Sequence, residues 1–254
     1  MTEISASAPL TGFTSNYQVY SSFEVDSSKA ALVIIDMENS FCDPESDVMS
    51  SIRAIGQLEG EKTDAEWWTE RMHRLVIPNN QRLVSVCREA GVRIVYAVMG
   101  HWSEDGADLP AHMRDKLKAF KSRLGREVHG YQFGRPDTEV IQELAPRRGD
   151  VVLRKVTSSA FASTGIDVIL RNMGIEYLFI TGQNTDGCVL YTSIDARDRG
   201  YRLTLVSDAC ITLDRVKHEA ILALYRANWG RVCTTDEVIH EIRAKSLYSE
   251  SRQS

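Results

Sequence analysis

The chain has no long apolar runs: no stretch approaches the roughly 20 residues needed to cross a bilayer. The opening MTEISASAPLTGF has no basic end followed by an apolar run. Together these absences lead to the expectation of a cytoplasmic protein with no membrane partner. Any long Lys/Arg run is also missing and the formal net charge is -5. This argues against nucleic acid as a partner, because affinity for a phosphate backbone needs concentrated positive charge. The five cysteines (Cys42, Cys87, Cys188, Cys210, Cys233) include no CxxC pair, which fits reduced thiols better than a disulfide framework or a zinc knuckle. Neither GxGxxG nor GxxxxGK(S/T) occurs, so the Gly-rich phosphate cradle of a doubly wound nucleotide binder is excluded.

What remains is an ordinary globular composition, 43% hydrophobic and 26% charged, in 254 residues, enough for one α/β domain with a sizeable core. Residues 1–28 are rich in Ser, Thr and Ala without a sustained period. They read as an N-terminal arm packed on the surface or on a neighbouring subunit, and 29–254 as the folded domain. Short apolar runs at Ala31 to Ile35, Arg93 to Val98, Val151 to Leu153, Tyr177 to Ile180 and Leu203 to Val206 suit buried parallel strands. Helices are expected at about Asn79 to Ala90, Thr164 to Asn172, Cys188 to Arg199, Arg215 to Asn228 and Asp236 to Lys245. A further helical insertion around Ala65 to Leu75, containing Trp67 and Trp68, is expected to form a lid. Its Trp68, Met72 and Leu75 share one face. Alternation of this kind predicts an α/β fold: a doubly wound, mainly parallel sheet with helices on both faces and ligands beyond the C-terminal strand ends.

Three reactive side chains fall at such ends. Asp36 closes the first strand, Lys155 lies just past the third, and Cys188 opens the helix after the fourth. Singly, each has a bland reading: a strand-end cap, a solvated lysine, a small core thiol. Jointly, a base, a fixed positive charge and a thiol are what nucleophilic catalysis needs. A helix N-terminus and a nearby ammonium both favour a thiolate. The turn Thr181-Gly182-Gln183-Asn184-Thr185-Asp186-Gly187 before Cys188 is expected to aim backbone N–H groups at a developing oxyanion.

The segments ALVIIDMENSF, RKVTSSAF with Thr164 three residues on, and TGQNTDGCV resemble, in order and spacing, the three signature segments of isochorismatase-like cysteine hydrolases. The resemblance covers roughly residues 30 to 240. It implies that Asp36 is the general base, that Lys155 stabilises the thiolate and that Cys188 is the nucleophile. It further implies a cis peptide between Gln183 and Asn184, an oxyanion hole from the backbone of Asn184 and Cys188, and a homo-oligomer, dimer or tetramer. Many relatives carry a small aliphatic pair where Gln183 and Asn184 stand, so polar side chains are expected in the substrate pocket. Metal-binding relatives carry Asp-x-His near the second strand, but here the chain reads Met99-Gly100-His101-Trp102-Ser103, so no metal or other cofactor is implied. The stretch GHWSEDGADLP is similar to that of biuret and related ureido-compound hydrolases. Phe41 and Phe161 are candidate pocket walls, and His101 a candidate substrate contact.

The function expected is therefore cysteine-dependent hydrolysis of a C–N bond in a small amide or ureido molecule through a thioester. Two alternatives stand beside it: a vinyl-ether hydrolase of the isochorismatase type, and a catalytically inert interaction module with the same fold.

Overall fold

A computed structural model describes residues 23–58, 64–128 and 131–250. Most of the N-terminal arm, residues 1–22, lies outside them. Six strands form one sheet: β1 (Ala30–Ile35), β2 (Arg93–Met99), β3 (Val151–Lys155), β4 (Tyr177–Gln183), β5 (Arg202–Ile211) and β6 (Arg231–Cys233). Their order is β3-β2-β1-β4-β5-β6, and every pairing is parallel. The expected class therefore holds, and β6 adds an unanticipated edge.

Strand β1 runs through the middle and is buried at all six positions. Its residues alternate between two cores, as the two-residue repeat of a strand requires. Ala30, Leu32 and Ile34 pack on one face of the sheet, and Ala31, Val33 and Ile35 on the other. A continuous run of apolar, largely β-branched residues is how a sequence specifies a strand covered on both sides.

The chain leaves β1 through α1 (Asn39–Cys42) and α2 (Asp47–Leu58), where the sequence reads only as a polar, Pro-containing stretch. Next come α3 (Ala65–Arg71), a π turn over Met72–Val76 and α4 (Ile77–Glu89), one after another without a break. Pro78 lies just beyond the π turn, where the N–H it lacks would otherwise bond back to the preceding turn. The expected lid is therefore no detached flap. Trp68 and Met72 are buried in the main core with Val76 and Ile77, while Leu75 is only half-buried. The segment is anchored because it opens directly into α4.

The remaining helices are α5 (Ala111–Leu124), α6 (Ala160–Ser163), α7 (Ile166–Asn172), α8 (Cys188–Asp198), α9 (Arg215–Asn228) and α10 (Thr235–Glu250). Of the N-terminal arm, the described end packs inward: Val25 is buried in the core and Phe23 packs against it.

Two backbone positions shape the C-terminal end of the sheet. Gly182 in β4 has φ +105°, and a Cβ there would stand 2.0 Å from the carbonyl oxygen of Ile35. Only glycine lets β4 approach β1 so closely. Asp36, directly after β1, is the one described non-glycine residue with positive φ, at 52°. An L residue pays for that left-handed conformation in strain, which persists where the surroundings impose it.

Candidate active site

Strands β2 and β4 flank β1 on opposite sides, so the chain reverses its direction of winding beside β1. Ligands of such sheets bind at this switch point, beyond the carboxyl ends of the strands. Asp36 leaves β1 there and Gln183 ends β4. The Gln183–Asn184 peptide is cis. The side-chain amide of Gln183 donates to the Asp36 carbonyl at 3.0 Å and approaches Cys42 Sγ at 3.5 Å. This polar side chain faces the pocket, yet its amide fixes the backbone of the aspartate.

Lys155 is the last residue of β3, rather than just past it. It must reach across β2 to meet β1, and a long unbranched side chain can do so. Its Nζ passes Met99 Sδ at 3.5 Å and arrives 3.0 Å from Asp36 Oδ2 and 3.3 Å from Cys188 Sγ, with the Thr157 carbonyl at 3.3 Å. Cys188 is the first residue of α8, whose N-cap is Gly187. Both Gly187 N–H and Val189 N–H donate to the Asn184 carbonyl, folding the turn against the helix start. Three strand ends thus bring Asp36, Lys155 and Cys188 together.

Electrostatics within the trio are set by burial. Lys155 is fully buried, Asp36 is 3% exposed and Cys188 is half-buried. Burial raises Asp36 above the usual carboxylate range despite the opposing pull of Lys155. Burial works against the Lys155 ammonium, but Asp36 and Cys188 together hold it above the ordinary lysine value. Burial followed by the negative charge of Asp36 pushes the Cys188 thiol up to about 12, while Lys155 draws it down less strongly. The helix start and the ammonium that favour a thiolate are both present, but they do not outweigh desolvation and the carboxylate. The thiol rests protonated. Asp36 Oδ1 is buried with no hydrogen-bond partner, so it is open to accept a proton.

Asp36 and Cys188 line a cavity of about 190 Å³, with Lys155 buried behind them. Among the expected wall residues, Phe41, Gln183 and Asn184 line it, and Phe41 packs edge-on to Tyr131, which lines it too. Two expectations fail. His101 is buried away from this cavity, with Nδ1 2.6 Å from the Ser103 carbonyl, because the chain after β2 turns out to pair with Gln132. Phe161 packs against Tyr201 in the opposite core, with ring centroids 5.8 Å apart, since α6 lies on that face of the sheet.

Helix α5 supplies walls that were not anticipated: His112, Met113, Lys116 and Leu117. The spacing of Met113, Leu117 and Phe120 was the available signal. Also missed was Glu38, buried two residues beyond Asp36. It accepts from Met99 N–H at 2.9 Å, and burial, then the charge of Asp36, raises it well above the carboxylate range. Among the described residues no three His, Cys, Asp or Glu side chains gather as a metal cluster.

The family model described as an isochorismatase domain matches residues 30–237. The chain belongs to the isochorismatase family. Solved structures with the same fold include a cysteine hydrolase from Pseudomonas syringae pv. phaseolicola, 24% identical with a TM-score of 0.69, the match covering 88% of this chain and 97% of that one. An isochorismatase family protein from Desulfovibrio vulgaris is also 24% identical, with a TM-score of 0.66 and coverage of 84% and 98%. N-carbamoylsarcosine amidase from Thermoplasma acidophilum is 26% identical, with a TM-score of 0.56 and coverage of 82% and 97%. As a member of this family, the protein is a hydrolase.

Proposed function

We propose that this isochorismatase-family protein is a cysteine-dependent amidohydrolase that cleaves a C–N bond of a small amide or ureido substrate. The observation carrying the reading is the position of Lys155 Nζ, 3.0 Å from the Asp36 carboxylate and 3.3 Å from the Cys188 sulfur, behind the two residues that line a cavity at the switch point. A proton moving from the thiol to Asp36 shifts the negative charge from one neighbour of Lys155 to the other. The net charge of the buried trio stays the same, so the step avoids the cost of creating a new unpaired buried charge.

The thiolate then adds to the carbonyl carbon, and the oxyanion is met by the backbone N–H groups of Asn184 and Cys188 at the start of α8. Asp36 returns its proton to the nitrogen as the C–N bond breaks, releasing ammonia or an amine and leaving a thioester on Cys188. Water gives its proton to Asp36 and its oxygen to the acyl carbon, which frees the acid and restores the thiol. A fold relative named as an N-carbamoylsarcosine amidase supports choosing a carbamoyl-type carbonyl. Vinyl-ether hydrolysis needs no thiol at this place, and an inert module has no use for all three groups.

The test is a panel of amides, carbamoyl amino acids, biuret and nicotinamide, assayed for ammonia release and, after acid quench, for an acyl adduct on the Cys188 peptide. Cys188→Ala is expected to abolish both with its melting temperature little changed. Turnover at the wild-type rate by that variant would overturn the mechanism.

A further inference from the structure

We infer that the substrate carries a carboxylate at the end remote from the scissile carbonyl, and that Lys116 of α5 is the cation that receives it. The inference rests on the amidohydrolase reading above and narrows its substrate class to small carbamoyl or amide carboxylic acids. Lys116 lines the same cavity as Asp36 and Cys188. It is placed there by the helical repeat, since His112 precedes it by four residues and lines the cavity as well. Its Nζ lies 5.6 Å from the ring centre of Phe120. Among the described residues it has no carboxylate partner, in contrast to its neighbours Lys118 and Lys121, paired to Asp115 and Glu127. A cation kept unpaired in the wall of a site is matched by an anion brought in from outside.

The surroundings point the same way. An adjoining cavity of about 400 Å³ shares Lys116 as a wall and is lined also by Lys217, Asp214, Arg123 and Arg53, the last ion-paired to Glu45 at 3.1 Å. The Asp214 carboxylate is engaged as the N-cap of α9, accepting from Lys217 N–H at 2.8 Å. The inner cavity, at about 190 Å³, lies below the roughly 300 Å³ at which drug-sized ligand sites begin. It therefore suits a molecule with only a few atoms between its carbonyl and its carboxylate.

The decisive probe uses the thiol itself, so it does not depend on hydrolysis. Iodoacetate and iodoacetamide differ by one charge, and both alkylate Cys188, read by mass spectrometry of its peptide. Relative to wild type, Lys116→Gln is expected to lower the iodoacetate-to-iodoacetamide rate ratio by about tenfold, the worth of one charge-assisted hydrogen bond. Lys116→Arg should keep most of the ratio, and added salt should depress it in wild type and Lys116→Arg more than in Lys116→Gln. In turnover, the preference for N-carbamoylglycine over its methyl ester should fall in Lys116→Gln and persist in Lys116→Arg. A ratio equal in wild type and Lys116→Gln, with the helical content of the variant intact, would overturn the carboxylate site. Absence of hydrolysis across the whole amide panel would overturn the amidohydrolase reading instead, and the alkylation ratio would still decide for or against an anion at Lys116.

Discussion

Asp36 and Lys155 form an ion pair at 3.0 Å with both side chains almost wholly withdrawn from solvent, and they act on Cys188 in opposite senses. The carboxylate raises the thiol and the ammonium lowers it. Asp36→Asn is therefore expected to move the pH profile of Cys188 alkylation downward by about one unit or more, and Lys155→Ala to move it upward. The first variant would hold more thiolate than wild type and yet lose acylation, because no base takes or returns the proton. As residues acting as a unit are strongly non-additive, the double variant should be scarcely slower than the worse single one. Single-turnover acylation measured alongside the alkylation profile checks both statements. An alkylation profile unmoved by Asp36→Asn would show that the carboxylate does not act on the thiol.

Glu38 makes a contrast two residues away. Its carboxyl is buried, raised by desolvation and by the charge of Asp36, and so holds its proton. The Ser40 hydroxyl lies 2.8 Å from the Asp137 carbonyl and 3.4 Å from Glu38 Oε1, and can donate to either. A neutral amide can replace a neutral carboxyl, so Glu38→Gln is expected to leave kcat/KM within about threefold of wild type and stability within about 1 kcal/mol. Steady-state kinetics and urea unfolding would test this. A loss as deep as that of Asp36→Asn would mean that Glu38 is ionised or exchanges protons with the site.

His218 lies at the start of α9, fully buried, with Nε2 3.0 Å from Arg71 Nη2 and Nδ1 2.9 Å from Thr185 Oγ1. Arg71 has only protons to give, so Nε2 accepts and Nδ1–H donates to Thr185. Burial and the neighbouring guanidinium depress this imidazole from 6.5 to about 4. The unfolded chain takes up a proton near pH 6.5 while the folded one resists until about pH 4. Stability conferred by neutral His218 is thus full above pH 6.5 and lost as pH falls toward 4, by at most about 3 kcal/mol. His218→Gln should be less stable than wild type at pH 7 and lose less on acidification. Unfolding at pH 7, 5.5 and 4.5 would reveal it, and parallel losses in the two proteins would refute it.

Continuous apolar runs made the central strands legible: Ala31 to Ile35 contains no polar residue and is buried throughout. Strand ends were harder. In β4, Thr181, Gly182 and Gln183 are polar or small, yet they are buried and still paired with β1 or β5, so hydropathy stops short of the true end. Helix α5 is hard to read because AHMRDKLKAFKSRL is rich in charge and only Phe120 is buried. The trio was visible because each member adjoins an apolar run whose end must reach the ligand crevice. His101 and Phe161 also sit near such runs, but the direction of the following loop or helix depends on packing partners far along the chain. The balance acting on the Cys188 thiol is only partly visible in sequence: a helix start and a lysine can be read locally, whereas burial is a property of the completed fold.

The long bridge from Lys155 over β2 to Asp36 also bears on how the molecule comes into being. The two residues are 119 positions apart, and Gln183, which fastens the Asp36 carbonyl, is 147 positions from it. Contacts of such sequence separation form late, since the entropy of closing the loops must be met before they give anything back. A chain emerging from the ribosome carries its aspartate long before its thiol, and no early supersecondary fragment holds the pair that tunes it. Assembly of the Asp36, Lys155 and Cys188 trio therefore waits until β1, β3 and β4 stand together in one sheet.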